Sequence, residues 1–230
     1  MPLVTTKRDG NVLVVEVARP EKGNALSRAA QQELSKAWEE FEENDDLKVA
    51  VLHGAGGVFS IGHDVEELAK GQGASASPIP EAGIFPMSLQ KPVIAAVEGP
   101  CYGLGFELAL SCDLRIAAEG AKFGIPDLKL PVAYRVASVL LPRMTFMGLS
   151  IDLINTGRVL DAKQAQANRL VNKVVPKGQA LAEATTAAKA MATRFADVNA
   201  AQKRQIWGLS GLPLPYAMSL ARDTGPVARM

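Results

Sequence analysis

Runs of apolar residues separated by glycine, proline and charge lay out an alternation of strands and helices. Asn11-Val-Leu-Val-Val-Glu-Val-Ala18 follows Arg8-Asp-Gly10 and reads as a strand after a tight turn. Pro20 and Gly23 break the chain. Ser27 then caps a helix running to about Asn44, with Ala30, Leu34, Ala37, Trp38 and Phe41 on one face. Leu47-Lys-Val-Ala-Val-Leu52 is a short buried strand ended by Gly54-Ala-Gly-Gly57. After the loop Phe59-Ser-Ile-Gly-His-Asp64, Asp64 caps a helix from Val65 to Lys70. Gly71 to Gly83, rich in Gly, Ser, Ala and Pro, is a loop that serves either as a flap or as a plain linker.

Lys91 to Val97 is a second buried strand, Gly103 to Ser111 a helix of small residues, and Asp113 to Ala118 a further strand. From about Ala133 the pattern is helical, interrupted by the strand Asn172 to Val175. Asp161 caps one helix there and Gly178 opens the next. Strand, helix, strand, helix, strand predicts parallel crossovers and an α/β core. The reading divides the chain into a core over 1–195 and a helical C-terminal region over 196–230.

Charge and composition narrow the chemistry. Twenty-five basic and 24 acidic residues leave a net charge of +1, without the basic excess of a nucleic-acid binder. The nearest thing to a basic run is Lys203-Arg204. No apolar run is long enough to cross a bilayer, and the first ten residues lack the apolar centre of a signal peptide. Two histidines and two cysteines, at no ligand-like spacing, argue against a metal site and a disulfide framework and for a reducing, cytoplasmic setting. Proton transfer therefore falls to carboxylates. His53, at a strand end before glycines, reads as structural.

The richest segment is Gly99-Pro-Cys-Tyr-Gly-Leu-Gly-Phe-Glu-Leu-Ala-Leu-Ser-Cys-Asp113. Glycines 103 and 105, between a buried strand and a helix start, leave backbone N–H groups free to bind an anion or an oxyanion. A dinucleotide fingerprint would need a third glycine at 108, which is Leu. Glu107 lies on the helix's first turn among apolar neighbours, where the helix N-terminus lowers its pKa and burial raises it. Asp127, in Phe123-Gly-Ile-Pro-Asp127, follows a proline in a loop. Either acid alone could be purely structural.

Taken together, these segments resemble the crotonase superfamily, the enoyl-CoA hydratase/isomerase family, over essentially the whole chain. The resemblance is carried by Arg19-Pro-Glu-Lys-Gly-Asn-Ala-Leu26, Val51 to Gly57, Phe59 to Leu68, Lys91 to Pro100, Glu107 to Ala117, Phe123 to Asp127 and Thr156 to Asp161. It implies a spiral of ββα units, a helical C-terminal trimerisation region, a homotrimer or dimer of trimers, and an acyl-CoA substrate. Coenzyme A is then part of the substrate, and no separate cofactor is implied. The oxyanion hole would use the backbone N–H groups of His63 and Leu104. Ala25, Ser60, Asp64 and Val65 would join them around the CoA thioester. Glu107 would activate water, and Asp127 would position it and deliver the α-proton, each carboxylate raising the other's pKa.

Four departures from the family's pattern bear on specificity. Asp127 stands where hydratases usually carry Glu, and Leu104 replaces a glycine and would add a side chain beside the acyl group. Pro131-Val-Ala-Tyr-Arg-Val-Ala-Ser138 replaces a glycine-rich segment, leaving Tyr134 and Arg135 either in the acyl pocket or in structural packing. Glu66 stands where many relatives carry Lys. The sequence given also stops before the family's terminal helix and basic motif. Trp207, Tyr216 and Met218 read as packing or subunit contacts. The resemblance implies a 2-enoyl-CoA hydratase; a Δ3,Δ2-enoyl-CoA isomerase or another acyl-CoA lyase or hydrolase is the alternative, and a non-catalytic binding protein is a third reading.

Overall fold

The computed structural model describes residues 1–69, 83–130, 132–194 and 196–223. The chain opens with a hairpin, β1 (Val4–Asp9) and β2 (Val12–Val17), turned at Gly10 with φ +62°. Then follow α1 (Arg28–Glu43), β3 (Val49–Gly54), the short α2 (Val65–Ala69), β4 (Val93–Val97), β5 (Pro100–Tyr102) and α3 (Leu104–Ser111). β6 (Leu114–Ala118), β7 (Lys122–Gly124), α4 (Arg135–Met144), α5 (Met147–Thr156), β8 (Val159–Asp161), α6 (Ala162–Ala167) and β9 (Lys173–Val175) continue the wind. Three helices close it: α7 (Ala180–Ala192), α8 (Ala196–Leu209) and α9 (Leu214–Asp223).

The strands form two sheets. The larger has the order β1-β2-β3-β4-β6-β9 and is parallel apart from the β1–β2 hairpin; the smaller has the order β5-β7-β8. From β4 to β7 the chain alternates between them, strand by strand, with α3 and then α4 following each pair. That is the ββα spiral.

The continuous apolar runs have a simple cause: the large sheet is covered on both faces, as parallel sheets are. Ala50 and Leu52 of β3 and Val93, Ala95 and Val97 of β4 join the main core with Trp38 and Phe41 of α1. Val49, Val51, Ile94 and Ala96 point the other way, against Ala180, Ala184 and Ala188 of α7. An alanine stripe lets that helix lie close on the sheet. Ser27 Oγ accepts the Ala30 N–H at the start of α1, and Asp161 and Gln164 make a reciprocal capping box at α6.

Four strands lay outside the sequence reading. β1 is a polar edge strand with only Val4 buried, and β5, β7 and β8 have three residues each, too few for a period to register. The helix assigned to Gly178 begins at Ala180 after Gln179, with Gly178 in the turn at φ +81°. Residues 70–82, most of the loop read as flap or linker, lie outside the described residues.

The basic pair Lys203-Arg204 is split by the fold, with Lys203 turned inward and Arg204 at the surface. Lys203 is buried in α8, donates to the Pro86 and Lys91 carbonyls and pairs with Asp113 at 2.9 Å. Trp207 Nε1 donates to the other Asp113 oxygen at 2.8 Å, and Arg204 donates to Gln90. Together they clamp α8 to the core.

Candidate active site

Two chain segments meet at the end of β5. Gly103, at φ +52°, turns the chain into α3; its N–H donates to the Gly124 carbonyl, leaving Leu104 as the first helical residue. A first-turn N–H has no acceptor within its own helix. Against this turn lies the loop 60–64, zipped to β5 by Ser60 N–H to Pro100 and Tyr102 N–H to Ser60. At Gly62, φ is +100°, and a Cβ there would sit 2.9 Å from the Tyr102 oxygen and 3.1 Å from the Leu104 nitrogen. The N–H groups of His63 and Leu104 are thus on touching segments, and neither has a protein acceptor among the described residues.

A buried polar frame holds that loop. Asn24, at φ +55°, donates to the Ala55 and Val58 carbonyls and accepts from Arg19 N–H. Ser60 Oγ donates to the Asn24 carbonyl and accepts the Gly62 N–H. Arg19 reaches the Ala25 carbonyl at 2.7 Å and the Asp64 carboxylate at 3.0 Å. Asp64 also accepts from the Glu66 and Glu67 N–H groups at the start of α2, and its pKa falls, the Arg19 bond and these N–H groups outweighing burial. The side chains of Ser60 and Asp64 are committed to shaping the loop. Ala25 is buried, whereas Val65 is 54% exposed. Glu66 forms an ion pair with Lys22, so the Lys-to-Glu departure brings its own cation.

The two acids come from different units of the spiral. Glu107 is 3% exposed in α3, and its Oε1 accepts the Ala137 N–H in the first turn of α4 at 2.9 Å. Burial pushes its pKa up to about 7, opposed by the Ala137 and Val136 N–H groups. The N–H groups that lower it belong to the first turn of α4. The expected mutual shift of the two carboxylates is not the cause: burial raises Asp127 as well. Asp127 Oδ2 lies 3.6 Å from where a Cβ on Gly103 would be, which places it against the same turn despite its shorter side chain.

Tyr134 stands among these groups. Its hydroxyl lies 3.2 Å from the same point on Gly103, its ring centre is 6.2 Å from that of His63, and both carboxylates raise its pKa beyond what burial does. The phenol oxygen is buried with no hydrogen-bond partner among the described residues. A cleft of about 480 Å³ opens beside it, lined in part by Asp127, Leu130, Val132, Ser138 and Ile154. Tyr134 takes both of the placements open to it: its side chain belongs to the main core, and its hydroxyl reaches the Gly103 turn. An aromatic hydroxyl in the segment that replaces a glycine-rich one was its only sequence signal.

The remaining residues sort by environment. His63 is 8% exposed, and burial lowers its imidazole pKa to about 4, so it is neutral near pH 7. The Leu104 side chain is fully buried in the main core rather than bare beside the acyl group, because the first turn of α3 is directed inward. His53, at the end of β3, lies 3.9 Å from Glu16. Among the described residues no group of three or more His, Cys, Asp or Glu could hold a metal, and no helix is long and apolar enough to cross a membrane.

Set in a ββα spiral are an N–H pair without acceptors among the described residues, one buried acid, Glu107, and one half-buried acid, Asp127. The chain belongs to the enoyl-CoA hydratase/isomerase family, whose profile matches residues 7–210. It is 35% identical over 198 residues to an enoyl-CoA hydratase of Mycobacterium tuberculosis, covering 83% of this chain and 74% of that one. It is 32% identical over 221 residues to the carnitinyl-CoA dehydratase of Escherichia coli, covering 94% and 84%. A crystal structure of an enoyl-CoA hydratase from Mycobacterium tuberculosis matches with a TM-score of 0.92 at 29% identity, covering 100% of this chain and 92% of that one.

Proposed function

We propose that the protein is a 2-enoyl-CoA hydratase, adding water across the double bond of a trans-2-enoyl thioester. The observation that carries this reading is that Asp127 Oδ2 lies against the turn bearing the Leu104 N–H, while Glu107 and Asp127 both act electrostatically on Tyr134 beside that turn. The thioester oxygen accepts from the His63 and Leu104 N–H groups, which stabilise the negative charge that develops as water attacks. Glu107, with a pKa near 7, is ionised in a useful fraction at neutral pH and takes a proton from the attacking water. The water oxygen bonds to the β-carbon, and the π electrons move toward the α-carbon and thioester. Asp127 enters protonated, helps orient the water and delivers the proton that completes the α-carbon; exchange with solvent then removes the proton from Glu107 and returns one to Asp127, so the net change is addition of H2O. Run in reverse, the same groups dehydrate a 3-hydroxyacyl thioester.

Assembly and compartment belong to the same proposal. Phe146, Met147 and Ile151 of the α5 region and Ile206, Leu214, Tyr216 and Met218 of α8 and α9 are all at least half exposed. Apolar surface on this scale supports a homotrimer or a dimer of trimers. Cys101 and Cys112 are free and buried, in keeping with a reducing, cytoplasmic setting.

A thioester panel followed by ultraviolet absorbance tests the reaction. Loss of the conjugated enoyl-CoA band on adding crotonyl-CoA supports hydration. Appearance of that band from a 3-enoyl-CoA, without hydration, assigns isomerisation instead. No change with either substrate across short and long chains removes both.

A further inference from the structure

Tyr134 carries a polar group that the proposed hydration does not use. It is 7% exposed, and its hydroxyl oxygen is buried without a hydrogen-bond partner among the described residues. Buried polar atoms in folded proteins are nearly always paired, so an orphan in a cleft marks a place where something else supplies the partner. The groups around it decide what that is. Asp127 and Glu107 are both near enough to act on it electrostatically, Gly103 lies below it, and the His63 ring lies beside it. Between two carboxylates the phenol keeps its proton and serves as a donor. Its complement is an acceptor oxygen on whatever occupies the space over the Gly103–Leu104 turn.

We propose that the Tyr134 hydroxyl is a third catalytic group, donating a hydrogen bond to an oxygen carried by the acyl chain at the carbons that react. This deepens the hydratase reading and rests on it for the identity of that oxygen, the β-hydroxyl of a 3-hydroxyacyl thioester or the water that becomes it. Gly103 makes room for the arrangement: a Cβ there would fall 3.2 Å from the phenol oxygen and 3.6 Å from Asp127 Oδ2, the space the acceptor would need. The proton stays on Tyr134 throughout. The hydroxyl orients the oxygen for Glu107 and Asp127, and it makes the site prefer acyl groups bearing an acceptor over plain saturated ones.

Calorimetric binding of 3-hydroxybutyryl-CoA and butyryl-CoA to the wild type and to Tyr134→Phe tests this without relying on turnover. A neutral hydrogen bond is worth about a factor of ten in affinity at its upper range. The wild type should favour the hydroxylated ligand by about tenfold, and Tyr134→Phe should lose that preference while binding butyryl-CoA unchanged. Because the hydroxyl has no partner among the described residues, the variant should melt at or above the wild-type temperature. A preference that survives in Tyr134→Phe, or no preference in the wild type, overturns the proposal. If discrimination depends on Tyr134 but crotonyl-CoA is not hydrated, the hydratase reading fails and this one stands. If hydration proceeds and Tyr134→Phe leaves both ligands alike in affinity to the wild type, the reverse holds.

Discussion

Glu107 Oε1 accepts the backbone N–H of Ala137, thirty positions later, at 2.9 Å. That bond ties α3 to the first turn of α4, a helix whose Tyr134 N-cap supplies no side-chain cap of its own. The proposed general base is therefore also the acceptor that satisfies a helix start. Two substitutions separate these roles. Glu107→Gln keeps an acceptor for Ala137 and should lose about 10²- to 10⁴-fold in hydration with the fold intact. Glu107→Ala leaves a buried N–H unpaired and should also destabilise by about 1–3 kcal/mol. Crotonyl-CoA turnover and urea unfolding of both variants check this; a Gln variant within about threefold of wild type would reduce Glu107 to a structural role.

The raised pKa of Glu107 predicts the direction of pH dependence. Its carboxyl holds a proton up to about pH 7 when folded, but only to about 4.5 when unfolded. Between these values the folded state binds more protons, so stability falls as pH rises through the window, by on the order of 3 kcal/mol in all. Unfolding in urea at pH 5 and pH 8 should show this decline, and the decline should shrink in Glu107→Gln. Hydration runs the opposite way, with kcat rising through about pH 7 as the base ionises.

Histidine is the residue type most readily taken for the acid–base catalyst, yet His63 is assigned only its backbone. Its buried imidazole, with a pKa near 4, has no ionisation to contribute at neutral pH. His63→Ala should change turnover by a few-fold and leave the pH profile in place. An enzyme as inactive as Glu107→Gln would make the imidazole catalytic and overturn the assignment.

The two N–H donors depend on Gly62. A methyl group there would press on the Tyr102 oxygen and the Leu104 nitrogen, in a backbone conformation that L side chains rarely adopt. Gly62→Ala should lose at least the roughly 10²- to 10³-fold that one oxyanion donor supplies. Leu104→Gly tests the other side: it keeps the N–H but empties a fully buried site, so it should cost about 2–5 kcal/mol while the folded fraction stays active. Melting temperature and turnover per folded molecule, measured together, distinguish these outcomes.

Lys203 should behave as a structural clamp. Lys203→Met leaves Asp113 facing the core without its cation and should cost about 3–5 kcal/mol, as broken buried pairs do. A change in melting temperature near zero would show that α8 is held by packing alone.

Local signals carried much of this protein in the sequence. The paired runs of β3 and β4, the α1 stripe ending in Trp38 and Phe41, and the caps at Ser27, Asp64 and Asp161 each depend on residues close along the chain. Hydrophobic period and capping chemistry are local, so they can be read without a partner. The order of the motifs from Arg19 to Asp161 then supported the fold class. The short strands β5, β7 and β8 did not register, because three residues gain their regularity only from the strands beside them.

What tertiary structure alone decided is which distant groups share one small volume. Sequence placed Glu107 on a helix start but could not show that α4 supplies the N–H groups it accepts from, nor that burial rather than Asp127 raises its pKa. It named Lys203 as part of a basic run, and only the fold of α8 onto Asp113 turned that charge inward. It left Tyr134 between pocket and packing; the approach of Tyr134 to Gly103 put a hydroxyl with no partner among the described residues near the acids. Solvation, charge and hydrogen-bond partners depend on distance through space, and in a spiral of crossovers that distance is set by how successive turns stack.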